Sequence, residues 1–441
     1  MSEPSERATL PNSDAQRTRL SGEGSCLTAA IELSGPAEED LLRARLARLV
    51  ARRPALRSVF GSAAGHRVLD GGTAAFTRHR VDGAGRESRW ARAYELARRE
   101  ATRPFPAGAS PLVRAALFTA EPDRHLLVVS ADQLVCDAWS ANLLVADLLA
   151  DDLAQVPDDY PDIWRRRQEW LDGPEGRAAV GRRRQAVMGA HRVWPVSGRP
   201  DDGEPDELVE RLLELDDETT LELRRRVRQT RGSLLAVAAT ALALSAVGHV
   251  TAPLALTTMF AARETEAEAN VVGSLSNDAL LVLPPQRGTV REYLTAIRGE
   301  IFAALHDQRV PCQRLAPALH DRSGQAGLSF ALLYLPAQLS GGGQVAMKLG
   351  AAEAARAAVS ICPTGADVDL FMVEDPPPRA DGVRPLLRLG ATSTRGRVGT
   401  GATERILNRW GAALAVLARL DWSTTPMREI AASLAPAPGE C

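Results

Sequence analysis

Lysine is nearly missing from this chain: Lys348 stands alone, and arginine carries the rest of the positive charge. Basic and acidic residues almost cancel, 53 against 55, for a formal net charge of −2. That balance lacks the basic excess by which proteins hold nucleic acid. Cysteine is sparse as well. The five, Cys26, Cys136, Cys312, Cys362 and Cys441, are scattered without a CxxC pair. Such spacing argues against a disulfide framework and against a zinc site, so a reduced cytoplasm and no bound metal are expected. No apolar run is long enough for a bilayer. The longest, "LLAVAATALALSAVG" from Leu234, falls short of the roughly 18–20 residues a span needs. Between a candidate cap at Ser233 and a stop at Gly248 it reads as a buried helix, and no membrane association is expected. The opening "MSEPSERATLPNSDAQRTRL" has no apolar signal core, and residues 1–20 are expected to form a flexible tail. The chain has no short-period repeat. "GGG" at 341–343 and "DPPPRADG" at 375–382 read as loop and turn, because no Lys-Ser/Thr follows to make a phosphate-binding loop.

What is present describes two α/β domains. The 441 residues exceed one ordinary core, and 45% hydrophobic with 24% charged residues is ordinary for a globular protein. "GSCLTAAIELSG" (24–35) reads as a strand bounded by glycines, and Leu41 to Val50 has helical apolar spacing that ends at Pro54. "PLVRAALFTA" and "RHLLVVSA" read as strands joined by the turn "EPDR". A helix follows from Ser140, its apolar face built on Leu143, Leu144 and Leu148, and another begins after Pro161. "SGRPDDGEPD" (197–206) is rich in Pro, Gly and acid and is the linker candidate. Beyond it the pattern restarts: strand 208–215, helix 217–228, buried helix 233–247, strand 252–259. The expected division is therefore 21–196 and 207–441, joined at 197–206.

The order of several short segments resembles the condensation-domain superfamily of nonribosomal peptide synthetases, over nearly the whole chain. "RRPALRSVF" (52–60) is similar to that family's Arg-His-x-x-Leu-Arg segment through Pro54-Ala55-Leu56-Arg57. "YPDIWRRRQEWL" (160–171) resembles its Tyr-x-Asp-x-x-x-Trp-Gln segment, with the Trp one residue early. "NVVGSLSNDALLVL" (270–283) resembles Gly-x-Phe-x-Asn through Gly273 and Asn277. "HDQRVPCQRL" (306–315) and "DVDLFMVED" (367–375) look like two later segments. The family's entry segment, Phe-Pro-Leu-Thr-x-x-Gln, is missing. The resemblance implies two chloramphenicol-acetyltransferase-like halves in a V shape with a tunnel between them. It implies no intrinsic cofactor: acyl or peptidyl carrier proteins bring thioesters on their own phosphopantetheine arms. A monomer is expected.

The central family motif is His-His-x-x-x-Asp-Gly, and the matching stretch here is Asp132-Gln133-Leu134-Val135-Cys136-Asp137-Ala138. Both histidines are replaced. An imidazole can take a proton near neutrality; a carboxamide donates and accepts hydrogen bonds but carries no proton. What remains for a condensation is positioning and electrostatics, or a carboxylate base. Asp132, Asp137 and Ser140 also form Asp-x4-Asp-x2-Ser, similar to heterocyclization domains, and "GSLSNDALL" resembles a second segment of that group. Thr364 and Asp369 offer the residue types tied there to cyclodehydration, at shifted spacing.

Gln133, Asp137 and Asp132 are thus the candidate catalytic residues, and Trp139, Ser140, Ser276, Asn277, Thr364 and Asp369 the candidate substrate-binding residues. Each has a structural alternative. In the family Asp137 is salt-bridged to an arginine expected five residues after the motif Asn; Val282 occupies that place here, so Asp137 needs another partner or faces the tunnel. Asp132 replaces a largely structural histidine. Ser140 reads as a helix N-cap rather than a nucleophile, Trp139 as packing, and Cys136 as an inert buried thiol. The expected activity is a stand-alone condensation-type acyltransferase forming an amide from carrier-bound thioesters. The alternatives are heterocyclization, or a catalytically silent module that docks a carrier or recruits a partner.

Overall fold

The computed structural model describes residues 9–22, 24–61, 64–152, 159–194, 196, 208–247, 250–319, 327–336, 347–357, 366–374, 387–394 and 397–434. The linker candidate 197–206, the "GGG" and "DPPPRADG" loops, Gly248 and Thr364 lie outside these residues.

Two compact α/β units emerge, and their boundary is not the simple cut expected near residue 200. The first combines the chain up to Gly176 with Ala261–Asn277 and Gln344–Cys362; the second takes Arg177–Phe260, Asp278–Gly343 and Pro363–Cys441. The chain returns twice to its first unit. Hydrophobic spacing within short windows cannot announce such returns, because the contacts that fix them are long-range.

The first unit is built on a six-stranded sheet. Its spatial order is Met347–Leu349, Ala352–Ala357, Cys26–Ser34, Arg124–Asp132, Val113–Glu121, Ala75–Arg80. The strand Arg124–Asp132 lies inside the sheet, so its run "HLLVVSAD" is buried on both faces and reads as continuous rather than alternating. It pairs antiparallel with Cys26–Ser34, Cys26 standing opposite Asp132. One face packs helices Glu39–Arg52 and Ala138–Leu149 through Ile31, Leu127, Val129, Leu46 and Leu148, and Val271, Val272 and Leu275 of the returning loop join that core. Helix Arg86–Thr102 covers the other face with its Ala93, Ala97 and Trp90.

Residues 10–20, expected to be part of a flexible tail, are ordered. Leu10–Pro11 pairs with Gly65–His66, and Ser13 opens helix Asp14–Leu20 with a capping box whose second member is Gln16.

The second unit repeats the plan. Its sheet runs Asn277–Leu283, Leu254–Phe260, Phe330–Leu335, Val368–Glu374, Leu387–Thr394, Leu208–Glu214. The helix expected at 233–247 is observed as Leu234–Val247, buried on nearly all sides. Gly390 is forced by packing: a Cβ there would sit 1.9 Å from the Phe371 ring. Among the described residues no single helix is long and apolar enough to cross a membrane.

Candidate functional site

The buried strand Arg124–Asp132 delivers the motif to its edge, and the chain turns through Gln133–Cys136 before entering helix Ala138–Leu149. Asp137 caps that helix; its Oδ1 accepts from the Ser140 amide at 2.7 Å. Ser140 therefore lies inside the first turn and is not the N-cap that its position suggested.

Asp137 is not without a cationic partner. The guanidinium of Arg263 donates to both carboxylate oxygens, at 2.8 and 3.0 Å. The returning loop adds the amides of Leu275 and Ser276 at 2.9 and 2.7 Å and the Ser276 hydroxyl at 2.9 Å. Burial pushes the carboxyl up, but Arg263 and this set of donors prevail and hold it below the ordinary carboxylate value. The arginine was sought at 282 and is supplied instead from 263, just beyond strand Leu254–Phe260.

Ser140 is equally committed. Its hydroxyl donates to the Gly273 carbonyl at 2.9 Å and accepts from the Gly273 amide and from Arg263, both at 3.0 Å. Gly273 packs closely, since a Cβ would lie 3.0 Å from the ring of Tyr160. The Trp139 indole donates to the Ala269 carbonyl at 2.8 Å, which ties the helix start to the same loop. Asn277 follows Ser276, half-buried, at the start of its strand.

Gln133 is half-buried, and Ser25 holds it twice. The Ser25 hydroxyl donates to Oε1 at 2.8 Å, and the Gln133 amide donates to the Ser25 carbonyl at 3.0 Å. Asp132 is buried, with Oδ1 accepting from the Leu134 amide at 2.8 Å. Burial raises its pKa, and the Leu134 amide with the charges of Arg19 and Arg114 opposes the rise. Cys136 is buried, and burial drives its thiol well up, so it holds no thiolate at neutral pH. Asp369 is buried in strand Val368–Glu374 of the second unit, opposite Ala331 and Thr392. Asp132, Gln133, Asp137, Trp139, Ser140 and Ser276 all belong to the first unit; Asp369 does not.

Three residues escaped the sequence reading. Arg263 is one. Gln16 and Arg19 are the others: Gln16 Nε2 donates to the Leu134 carbonyl at 2.7 Å, and Arg19 Nη1 to the Gln133 carbonyl at 3.4 Å and the Ser274 hydroxyl at 3.0 Å. Pro11, Ser13 and Gln16 stand at the spacing of the entry segment for which no match was found. The Ser-x-x-Gln capping pattern was the signal that could have revealed it. Among the described residues no cluster of three His, Cys, Asp or Glu side chains could hold a metal ion.

The family model for the condensation domain matches residues 16–150, from Gln16 through the motif helix. A probable non-canonical nonribosomal peptide synthetase, CymA of Salinispora arenicola, is 29% identical over 322 residues. Over residues 16–150 the chain is similar to a condensation domain. That alignment covers 67% of this chain and 4% of CymA, so the chain corresponds to a small part of its curated relative. Among solved structures, SgcC5 of Streptomyces globisporus superposes with a TM-score of 0.75 at 18% identity, covering 92% of this chain and 98% of its own. The X-domain from teicoplanin biosynthesis, solved with OxyB, gives a TM-score of 0.75 at 16% identity, covering 98% of each. These likenesses carry the fold, two α/β units of the chloramphenicol-acetyltransferase type. The buried Asp137 bonds both the start of the motif helix and the returning loop.

Proposed function

We propose that this protein catalyses acyl transfer from a carrier-bound thioester to an amine, with Gln133 as a positioning group in place of a proton-accepting histidine. The observation that carries the reading is the Ser25–Gln133 hydrogen bond. The Ser25 hydroxyl donates to the carboxamide oxygen, and this reading gives the Nε2 end of Gln133 the role of donor toward the substrate. In the reaction the amine lone pair attacks the thioester carbonyl carbon, the C–S bond breaks, and the pantetheine thiol leaves with the carrier. The amine proton passes to the thiolate or to water. An N–H donor such as Gln133 stabilises the negative charge that develops on the carbonyl oxygen, and holding the two reactants together lowers the barrier further.

Of the two motif carboxylates, Asp137 is the poorer substitute for the missing base. Asp137 is saturated with donors and has a depressed pKa. Asp132 stands opposite Cys26 in the sheet and is engaged by Leu134. The same saturation weighs against cyclodehydration through Asp137, with Thr364 and Asp369 as its other members. A second reading, a silent module that recruits a partner, draws support from the fold likeness to the X-domain solved with OxyB.

Intact-protein mass spectrometry separates these readings. An aminoacyl-loaded acceptor carrier is mixed with an acyl-loaded donor carrier and this protein. A mass gain equal to the acyl group, lost in Gln133→Ala, supports transfer, and a further loss of water reports heterocyclization. A carrier that binds without any change of mass, across donors of differing chain length, leaves the silent module.

A further inference from the structure

The entry segment is fastened to the first unit at both of its ends. At the back, Asn12 donates its amide to the Ala64 carbonyl at 3.1 Å, and its side-chain Oδ1 lies 2.9 Å from His66 Nδ1. His66 Nε2 lies 3.0 Å from the Tyr160 hydroxyl, and the Trp164 indole donates to the Pro11 carbonyl at 2.7 Å. At the front, helix Asp14–Leu20 reaches the motif turn. Gln16 is fully buried although it is a carboxamide, and the Leu134 carbonyl takes its amide hydrogen. Arg19, whose charge also acts on Asp132, joins the Gln133 carbonyl to the Ser274 hydroxyl. Ser274 sits between Gly273 and Leu275, whose backbone holds Ser140 and Asp137.

We infer that Arg19 and Gln16 act as a clamp that positions the motif turn: the entry helix fixes the backbone at Gln133 and Leu134 and locks it to the returning loop at Ser274. Arg19 is a positioning residue and not a catalytic one, because it holds the main chain that carries Gln133. The need for such a clamp follows from the chemistry at the turn. A carboxamide cannot take a proton and contributes through geometry alone, so small misplacement is costly to rate. Both contacts come from one guanidinium nitrogen, Nη1, whose two hydrogens can serve two acceptors. The functional part of this inference rests on the acyl-transfer reading, whereas the clamp itself does not.

The test is hydrogen exchange on the full chain, comparing wild type with Arg19→Ala and Arg19→Lys. Loss of a charge-assisted hydrogen bond loosens the turn, so exchange in the peptide spanning 131–136 should accelerate about tenfold in Arg19→Ala. The peptide spanning 254–260, in the second unit, should not change. Arg19→Lys keeps one donor and should restore part of the protection. In the transfer assay Arg19→Ala should lower kcat with little change in KM for the carrier, and added guanidinium ion at low millimolar concentration should recover part of the rate. Unchanged exchange at 131–136 would overturn the clamp. So would equal acceleration throughout the first unit, which marks a general loss of stability. If wild type transfers nothing while exchange responds as stated, the clamp stands and the acyl-transfer reading fails.

Discussion

Replacing Arg263 with methionine should destabilise the first unit more than any surface substitution. The Arg263 side chain is 2% exposed and that of Asp137 7%, and two hydrogen bonds join them. Methionine preserves much of the apolar stem and removes the charge. Asp137 then keeps the Ser140, Leu275 and Ser276 donors but loses its cation while still buried. Stranding one member of a buried pair costs about 3–5 kcal/mol. For a unit of about 200 residues that corresponds to a fall of roughly 10 °C in Tm. Scanning calorimetry of wild type, Arg263→Met, Asp137→Asn and the double variant measures it. Asp137→Asn strands the guanidinium instead and should cost a similar amount, whereas the double variant should lose clearly less than the sum of the two. Because the folded carboxyl sits below its ordinary value, its contribution is complete at neutral pH. It disappears only as the pH falls below about 4 and through the depressed folded value. If each single variant cost under about 1 kcal/mol, the pair would behave as a solvated surface bridge and the scaffold argument would be wrong.

Two further outcomes follow from the same unit. His66 is 1% exposed, and burial lowers its pKa to about 4. Below its unfolded value near 6.5 the unfolded chain takes a proton that the folded one refuses, so stability should drop by roughly 3 kcal/mol between pH 6.5 and 4. His66→Gln should flatten that part of the urea-denaturation profile. Gly273→Ala places a methyl 3.0 Å from the Tyr160 ring and should cost about 1–3 kcal/mol by overpacking. Its thermal midpoint checks this, and an unchanged midpoint would show that Tyr160 yields freely.

Local pattern made much of the fold legible. Strand Arg124–Asp132 was visible as a strand after the turn "EPDR", helix Leu234–Val247 as a long apolar stretch without charge, and both are buried elements. The motif was also visible, because its residue types stand at fixed short spacings. What stayed hidden depends on distant partners. Arg263 and Asp137 are 126 residues apart, and no spacing rule joins them. The returns of Ala261–Asn277 and of strands Met347–Leu349 and Ala352–Ala357 to the first unit are set by core packing and strand pairing, which periodicity does not encode. Gln16 was a different case. Its capping pattern with Ser13 was readable, but the polar composition around it suggested a tail, and the docking contacts that order it come from Leu134, His66 and Trp164.

The central claim is that the motif works through placement and without a protein base. Its most direct test is the pH dependence of single-turnover acyl transfer by wild type and by Gln133→His. The account predicts one inflection for wild type, near about 8, following deprotonation of the acceptor amine. Gln133→His should add a second inflection near about 6.5 as an imidazole enters the site. A wild-type inflection between pH 5 and 7 that vanishes in Asp132→Asn would contradict the account, because it would identify Asp132 as the base.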